Sequence, residues 1–261
     1  MGNVSVYCLK CLTNMHVGDG EANYNIIDNE VQKDIVLNVP TIHSSGVKGA
    51  LRSFVHNHNQ GNAISEDEIF GAKGEETRQG AYKFFSANLL ARPIRVSDGS
   101  MAYVLATSVD IINTQLTLMQ SLGVWTGELL GEELRNKYIC SASLQGMISE
   151  VEGEKIECAK SLSVLDELIG DKWVLVPHDR LCDYGLPVQA RNVLENGKSQ
   201  NLWYEEVVPH ESIFYVIVIT DGKEDVLYDF ICQQGGVVQF GADASIGYGF
   251  CKVTKWEKAG E

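Results

Sequence analysis

The chain has 261 residues, of which 44% are hydrophobic and 21% are charged, proportions typical of a folded globular protein. No apolar run approaches the roughly 20 residues that a membrane-spanning helix needs, so we expect no membrane partner. The 35 acidic and 21 basic residues give a net charge of −14, which argues against binding of nucleic acid through overall charge. Any nucleic acid would have to bind at local basic sites, with the acidic residues facing elsewhere.

The cysteines and the N-terminus bear on the cellular compartment. The seven cysteines are odd in number and lie mostly within apolar stretches, as is typical of buried thiols in a cytosolic protein. The N-terminus also lacks the basic region and apolar core of a secretory signal. We therefore expect a cytoplasmic protein.

The N-terminal part of the chain predicts a strand, a long loop and a helix. Residues 4–11 have a strand pattern, and residues 14–40 form a polar stretch with little periodicity. A loop of this length inside a domain is often functional. Apolar residues at helical spacing over 47–55 predict a helix that opens at 44–46.

The remainder of the chain mixes helix and strand patterns without strict alternation. Helices are predicted at 111–145 and 157–169, and strands at 81–92, 101–107, 173–177 and 213–219. The last of these strands is almost wholly apolar, which indicates burial on both faces. The mixture predicts an α+β fold with the helices on one face of a sheet.

Two further segments complete the chain. Residues 188–208 predict a β-hairpin, because Asn196-Gly197 is a strong two-residue turn signal. A glycine-rich loop is predicted over 235–249, followed by a last strand.

The start of the first helix is a candidate phosphate site. Helix N-termini present free N–H groups and a partial positive charge, here at Ser44, Ser45 and Gly46. Lys48 and Arg52 lie one turn apart and could flank the same phosphate backbone. The alternative is an ordinary surface helix with solvated cations, which this feature alone favours.

The glycine-rich loop is a second candidate for contact with a phosphate backbone. Glycines allow main-chain N–H groups to approach phosphates closely, and the candidates are Gly235, Gly236, Gly241, Gly247 and Gly249. The pattern is neither a P-loop nor a dinucleotide-binding fingerprint. A tight turn between strands is an equally good interpretation. We expect Asp243, in the same loop, to be an exposed residue whose loss has little effect.

The polar loop carries candidates for acid–base or metal chemistry. His16, Asp28 and Glu30 have suitable side chains for RNA cleavage. A single loop aspartate is more often a turn residue, and the local sequence favours that interpretation.

These features occur in an order that resembles the RAMP superfamily of CRISPR proteins. The similar stretches are 16–20, 27–34, 44–52 and the C-terminal glycine-rich loop, and 80–95 and 201–215 resemble the backbone subunit of type III-B (Cmr) effectors. The resemblance covers nearly the whole chain. It departs from the family at Leu37-Asn38, where a Thr-Gly turn is usual, and at 43–46, where Pro-Gly-Ser-Ser is usual.

The resemblance implies a single domain over 1–261 with a ferredoxin-like, RRM-type palm, a β-hairpin thumb and helical insertions. The implied palm comprises 1–60, 80–108 and 212–258, the helical insertions lie at about 109–172, and the thumb is the hairpin at 188–208. Arg191 on one arm of the thumb and Lys198 at its tip would contact phosphates. Val193 or Leu194 would wedge between bases.

The resemblance also implies a function. Copies of the chain would line a guide RNA beside other Cmr subunits and cleave paired target RNA at regular intervals. The cleavage would depend on a divalent metal ion such as Mg²⁺. Asp28 matches the catalytic aspartate of the family and is a possible metal ligand, the metal ligands being otherwise unknown, and His16 is a weaker catalytic candidate.

Three alternatives remain open. The chain could be the backbone subunit of a type III-A effector, or a non-catalytic RNA-binding RAMP subunit in which Asp28 is a turn residue. It could also be an unrelated α+β enzyme that binds a nucleotide at the glycine-rich loop, although neither a P-loop lysine nor a catalytic triad order is present.

Overall fold

The computed structural model describes residues 2–20, 26–61, 63–72, 77–196, 198–222 and 224–256. In this part of the chain the strands are β1 (Asn3–Cys11), β2 (Thr41–Ile42), β3 (Tyr82–Phe84), β4 (Ala87–Gly99), β5 (Tyr103–Thr107), β6 (Ile139–Ser141), β7 (Ile148–Val151), β8 (Glu154–Lys155), β9 (Cys158–Lys160), β10 (Trp173–Leu175), β11 (Val188–Glu195), β12 (Lys198–Glu206), β13 (Ile213–Thr220), β14 (Val237–Gln239) and β15 (Phe250–Lys255). The α-helices are α1 (Ser44–His58), α2 (Glu66–Phe70), α3 (Val109–Ser121), α4 (Ser163–Ile169), α5 (His178–Asp183) and α6 (Val226–Gln233). Gly197 and the side chain of Leu194, both named in the hairpin prediction, lie outside the described part.

Thirteen of these strands form one mixed sheet. Its main path runs in the order β14-β15-β1-β13-β4-β5-β10-β6-β9, while β2 and β7 pair with β4, β3 with β13, and β8 with β7. The two parallel pairs are β5 with β10 and β6 with β9. The strands β11 and β12 form the predicted hairpin as a separate two-stranded sheet, which confirms that element.

The centre of the sheet is covered on both faces. In β13, Phe214, Val216 and Val218 pack into the same core as α1 and α6. The alternating residues Tyr215 and Ile217 face the opposite way, into a second core with α3 and α4. This confirms the prediction of a strand buried on both faces, but the prediction of helices on one face is wrong.

The predicted helix at 111–145 is much shorter in the structure. The Ser108 hydroxyl accepts the Ile111 N–H and starts α3, which ends at Ser121. Three glycines follow at 123, 127 and 131, and short strands replace the rest of the predicted helix and its surroundings. The apolar residues beyond Ser121 reflect burial in the second core and not helix formation.

The polar stretch at 14–40 lacks helices and contains only single bridges within its described residues. One bridge pairs Gly18 with Val31, and others join Met15 to Val208 and Asn29 to Glu205. The stretch is therefore a loop, as predicted, and it is fastened to the base of the hairpin. No described helix is long and apolar enough to cross a bilayer.

Candidate nucleic-acid interface

The loop that carries Asp28 lies along strand β12. Asp28 Oδ2 accepts the Tyr204 N–H at 2.8 Å, and the Asp28 N–H donates to the Tyr204 carbonyl at 3.1 Å. The Glu206 N–H donates to the Asn29 carbonyl at 2.9 Å. Asp28 itself is exposed, and its Oδ1 has no hydrogen-bond partner among the described residues. The backbone at Asp28 is thus fixed, while one oxygen of this exposed residue is left without a hydrogen-bond partner in the described chain.

Two buried glutamates attach the hairpin base to its surroundings. Successive side chains of a strand point to opposite faces, so Glu205 and Glu206 bind different partners. Glu206 accepts the Val31 N–H at 3.2 Å and lies 3.2 Å from Lys33 Nζ. Glu205 pairs with Arg191 on the neighbouring strand. Glu205 therefore joins the two strands of the hairpin, and Glu206 joins the hairpin to the loop that carries Asp28.

His16 belongs to this anchoring structure. Its side chain is 6% exposed, its Nδ1 donates to the Glu206 carbonyl at 2.7 Å, and its Nε2 lies 3.6 Å from Glu205 Oε1. The structure therefore buries His16 against the hairpin base, where it contacts Glu205 and Glu206. Its proposed catalytic role stays a prediction, without a solvent-facing ring to support it.

Arg191 is enclosed by acidic and aromatic groups. It pairs with Glu205 and Asp243, and its guanidinium carbon lies 4.8 Å from the centre of the Tyr248 ring. RNA contact by Arg191 stays a prediction, and both ion pairs use Nη2, so such a contact would need another nitrogen of the guanidinium or the loss of an ion pair. Asp243 is half-buried and joins the glycine-rich segment to the hairpin, so the expectation of an exposed residue is wrong, while the small effect expected from its loss stays a prediction.

The glycines of 235–249 serve different purposes. A Cβ atom on Gly241 would collide with the His16 carbonyl, and one on Gly249 with the Phe240 carbonyl, so both are required by packing within the chain. Gly235 and Gly236 follow α6 with φ of 93° and 68° and end that helix. Gly247, at φ 87°, is exposed with open space beside it.

The prediction of a single glycine-rich loop over 235–249 is wrong, and its contact with phosphate is untested. The segment is not one loop, because its middle forms strand β14, which pairs with β15. Contact of these glycines with phosphate stays a prediction, and the open surroundings of Gly235 and Gly247 leave room for it.

The N-terminus of α1 has the properties expected of a phosphate site. Its first residues, Ser44, Ser45 and Gly46, are exposed, and no side chain caps the helix. The N–H groups of this turn therefore face solvent with the positive end of the helix dipole. Lys48 follows without an ion pair to any described residue.

Arg52, one turn further along α1, differs from Lys48 because it already forms ion pairs. Its Nε donates to Glu66 at 2.6 Å and its Nη2 to Asp67 at 3.4 Å. The Arg52 hydrogen bond lowers the pKa of Glu66 below its usual value. The structure thus leaves Lys48 available to a phosphate, whereas α2 already neutralises Arg52.

The residues that fix Asp28 were not singled out individually from the sequence. Tyr204 and the two glutamates fall within 201–215, a stretch whose sequence indicates only a family resemblance. The pattern that points to these residues is the pair of glutamates between Tyr204 and Val207-Val208, where two charged residues interrupt the apolar end of a strand. A charged residue in such a position needs a partner, which the sequence alone does not identify.

The donor set limits what kind of metal site this chain can form. Among the described residues no three His, Cys, Asp or Glu side chains cluster closely enough to surround an ion. Mg²⁺ commonly uses one or two carboxylates together with water and phosphate oxygens. The exposed carboxylate of Asp28 fits that arrangement, in which oxygens from outside the protein complete the ligand set, and does not fit an all-protein site.

The chain is similar to known proteins over nearly its whole length. The chain is 25% identical to the CRISPR system Cmr endoribonuclease Cmr4 of Pyrococcus furiosus, over 94% of this chain and 93% of that protein. Its fold matches a type III-B Cmr-beta structure bound to cognate target RNA with a TM-score of 0.78 and 19% identity, covering 97% of each chain. It also matches oligomeric Cmr4 from Pyrococcus furiosus with a TM-score of 0.70 and 20% identity, covering 98% of this chain and 99% of that one.

The two structural matches show a shared fold. The sequence pattern of the RAMP superfamily matches residues 8–252, which is nearly the whole chain. The chain therefore belongs to the RAMP superfamily.

Proposed function

We propose that this chain is the backbone subunit of a type III-B CRISPR effector, acting in the cytoplasm, and that it cleaves target RNA paired to a guide RNA. Family membership and similarity to Cmr4 over most of the chain support the assignment. A relative named as oligomeric Cmr4 supports assembly with further copies, and a relative bound to cognate target RNA supports the RNA partner. Other Cmr subunits would complete the complex.

The strand order supports the palm-and-thumb description. The four strands β15-β1-β13-β4 lie side by side, with α1 following β1 and α6 following β13 on one face. This is the order of a ferredoxin-like fold, which corresponds to the palm. The hairpin β11–β12 corresponds to the thumb.

RNA would bind along its backbone. Guide phosphates would lie at the uncapped N-terminus of α1 and beside Lys48, where N–H groups and a free cation are both available. Base pairing with the guide selects the target, so these contacts need not read bases. Such a local site is compatible with the net charge of −14.

The single observation that carries the catalytic proposal is that Asp28 is exposed, on a backbone held by Tyr204, with an Oδ1 that no described residue pairs. A carboxylate in this setting can accept the proton of a target 2′-hydroxyl. The 2′-oxygen then attacks the adjacent phosphorus, and the bond from phosphorus to the 5′-oxygen breaks. The products are a 2′,3′-cyclic phosphate and a 5′-hydroxyl, which takes its proton from water.

Dependence on a divalent metal is part of the proposal. Asp28 would hold the ion together with RNA phosphate oxygens. When bound, Mg²⁺ would supply positive charge to the phosphate under attack. Asp28 would then act as metal ligand or as base, and both roles need its negative charge.

One observation favours a non-catalytic subunit as the second candidate. Asp28 Oδ2 already accepts the Tyr204 N–H, which is a sufficient structural reason for an aspartate here. In that case the chain would bind RNA without cutting it.

Cleavage by the reconstituted complex separates these functions. The complex is loaded with one guide RNA and incubated with end-labelled complementary target, with a non-complementary RNA as control. We expect regularly spaced products from the complementary target only. Binding of the target without cleavage products would indicate a non-catalytic subunit. An absence of copurifying RNA would argue against both the catalytic and the non-catalytic RNA-binding subunit.

A further inference from the structure

A groove of about 380 Å³ opens beside the N-terminus of α1, on the face of the sheet covered by α3. Its size is within the range of small-molecule pockets. The groove is lined among others by Lys33, His43, Phe85, Ser86, Asn88 and Gln115. Both polar and aromatic groups therefore face one space.

Gln115 of α3 is the unusual member of this lining. The residue is 6% exposed, and its Nε2 has no hydrogen-bond acceptor among the described residues. Buried polar groups are nearly always hydrogen-bonded, and an unpaired one destabilises the fold by about 1–3 kcal/mol. The terminal torsion of a glutamine is soft, so a small rotation presents the amide to the groove. Gln115 thus needs an acceptor that the described chain does not supply.

The other walls suit a planar, polar ring. Asn88 Oδ1 accepts the Thr41 hydroxyl at 2.9 Å, which leaves its NH₂ group for another acceptor. Phe85, which is half-buried, adds an aromatic surface. Stacking on an aromatic side chain and hydrogen bonds to base edges are the means by which proteins bind unpaired RNA bases.

The groove also adjoins the phosphate site. His43 is the N-cap residue of α1 and lines the groove, so the exposed N–H groups of α1 begin at its rim. Lys33 lines it from the loop that also carries Asp28. We propose that the groove binds a single unpaired RNA base whose phosphate lies at the α1 N-terminus, with Gln115 donating to an acceptor on the base.

This inference rests on the proposed function, because it adds a base site to the proposed backbone contacts. A segment of a neighbouring copy would be the other occupant of such a groove. The unpaired amide and the adjoining phosphate site favour the nucleotide, since both call for acceptors and negative charge.

Binding of two oligonucleotides to the full-length chain tests the proposal. One is a uridine oligomer, and the other is an abasic ribose-phosphate oligomer of equal length. We expect the wild-type chain to prefer the uridine oligomer by about tenfold, a typical contribution of one bound base. Gln115→Leu should lose most of this preference, keep its affinity for the abasic oligomer, and leave the melting temperature unchanged or higher.

Two further variants sharpen the test. Gln120→Leu makes the same chemical change at an exposed position of α3, and it should keep the preference. Ser86→Phe fills the groove, and it should abolish the preference independently of Gln115. Retention of the preference in both Gln115→Leu and Ser86→Phe would overturn the proposal, and would leave water as the partner of Gln115.

The remaining outcomes separate this inference from the proposed function. Equal binding of both oligomers by the wild type, weakened by Lys48→Ala, would remove the base site and retain the RNA-binding subunit. Binding of neither oligomer would contradict both. If Ser86→Phe abolishes self-association and leaves the uridine preference intact, the groove holds a neighbouring copy and the proposal fails.

Discussion

Glu205 and Glu206 place two negative charges inside the junction of hairpin, loop and glycine-rich segment. Burial of a charge is costly unless the group is paired and hydrogen-bonded. Lys33 and the Val31 N–H satisfy Glu206, and Arg191 pairs with Glu205. Two cations of this acidic chain thus stabilise the fold around Asp28.

Arg191→Met tests this role. The substitution removes the cation and leaves the buried Glu205 carboxylate unpaired, so we expect destabilisation by about 3 kcal/mol. Lys198→Met removes the same charge at an exposed position of the same hairpin and should change stability by less than about 0.5 kcal/mol. Urea denaturation of both variants measures the difference. Equal stabilities would show that the Arg191 ion pairs contribute nothing to the fold.

At Gly49, one substitution can separate the stability of the fold from the affinity for RNA. It lies inside α1 with open space where a Cβ would be, so packing within the described chain does not require glycine. Gly49→Ala should therefore stabilise the fold by about 1 kcal/mol through helix propensity. If RNA approaches this face closely, the same change should weaken RNA binding. A higher melting temperature with unchanged affinity would show that no RNA backbone lies against Gly49.

Part of the site could be predicted from single residues. The start of α1 at Ser44 could be predicted because a helix start is a local feature, and the role of Ser44 to Gly46 and Lys48 at a phosphate stays a prediction. The pairing of Arg191 with Asp243 was not foreseen, because the two are 52 positions apart and meet only after the hairpin folds onto the glycine-rich segment. For the same reason, the partners of Asp28 were not identified individually.

The hairpin β11–β12 is anchored at one end and exposed at the other. Its base carries the buried glutamates, whereas Val193 and Leu202 towards the tip are 49% and 53% exposed. A two-stranded hairpin is marginally stable by itself, so the outer part depends on a partner for order. Its two arms were predictable because a turn signal joins two strand patterns.

Replacement of residues 193–199 by a Gly-Ser linker of equal length tests the hairpin as a thumb. The buried base stays intact, so we expect folded subunits with unchanged helix content and target products that are lost or irregularly spaced. The turn at 152–153 between β7 and β8, replaced in the same way, is the control. Regularly spaced products from the 193–199 variant would show that the tip does not set the cleavage positions.

Helix α1 carries two cations, of which Arg52 is ion-paired and Lys48 has no ion pair to a described residue. Each cation that contacts a phosphate adds about one unit to the salt dependence of RNA affinity. Lys48→Ala should therefore flatten that dependence by about one charge, and Arg52→Ala by less, because Glu66 and Asp67 already hold Arg52. An unchanged slope in Lys48→Ala would remove it from the phosphate site.

The pKa of Glu66 provides a check on Arg52. The Arg52 hydrogen bond lowers this pKa, so the pair stabilises the fold above the pKa of an unfolded glutamate. The stabilisation is lost as the pH falls through the lowered folded-state value. Arg52→Ala should raise the pKa of Glu66, measured by NMR titration. A rise on addition of RNA to the wild type would instead show that Arg52 leaves Glu66 for a phosphate.

For the whole molecule, the net charge of −14 and RNA binding are compatible if the basic groups are local. The central sheet separates two cores, with α1 and α6 on one face and α3 and α4 on the other. The mixed α+β class could be predicted from the sequence, because strand and helix periodicities are visible there. Burial of β13 on both faces could also be predicted, but the helices that cover each face could not, because β13 has the same apolar sequence whichever helices pack against it.

The most direct measurement is target cleavage by complexes reconstituted with Asp28→Asn. Asparagine keeps an oxygen that accepts the Tyr204 N–H and removes the negative charge, so it separates structure from chemistry. Glu133→Gln, at an exposed position outside this loop, removes one charge as a control. We expect Asp28→Asn to assemble and bind target normally and to cleave at least about a hundredfold more slowly, whereas Glu133→Gln cleaves normally. Cleavage by Asp28→Asn at the wild-type rate would contradict the assignment and show that Asp28 only holds the loop to the hairpin.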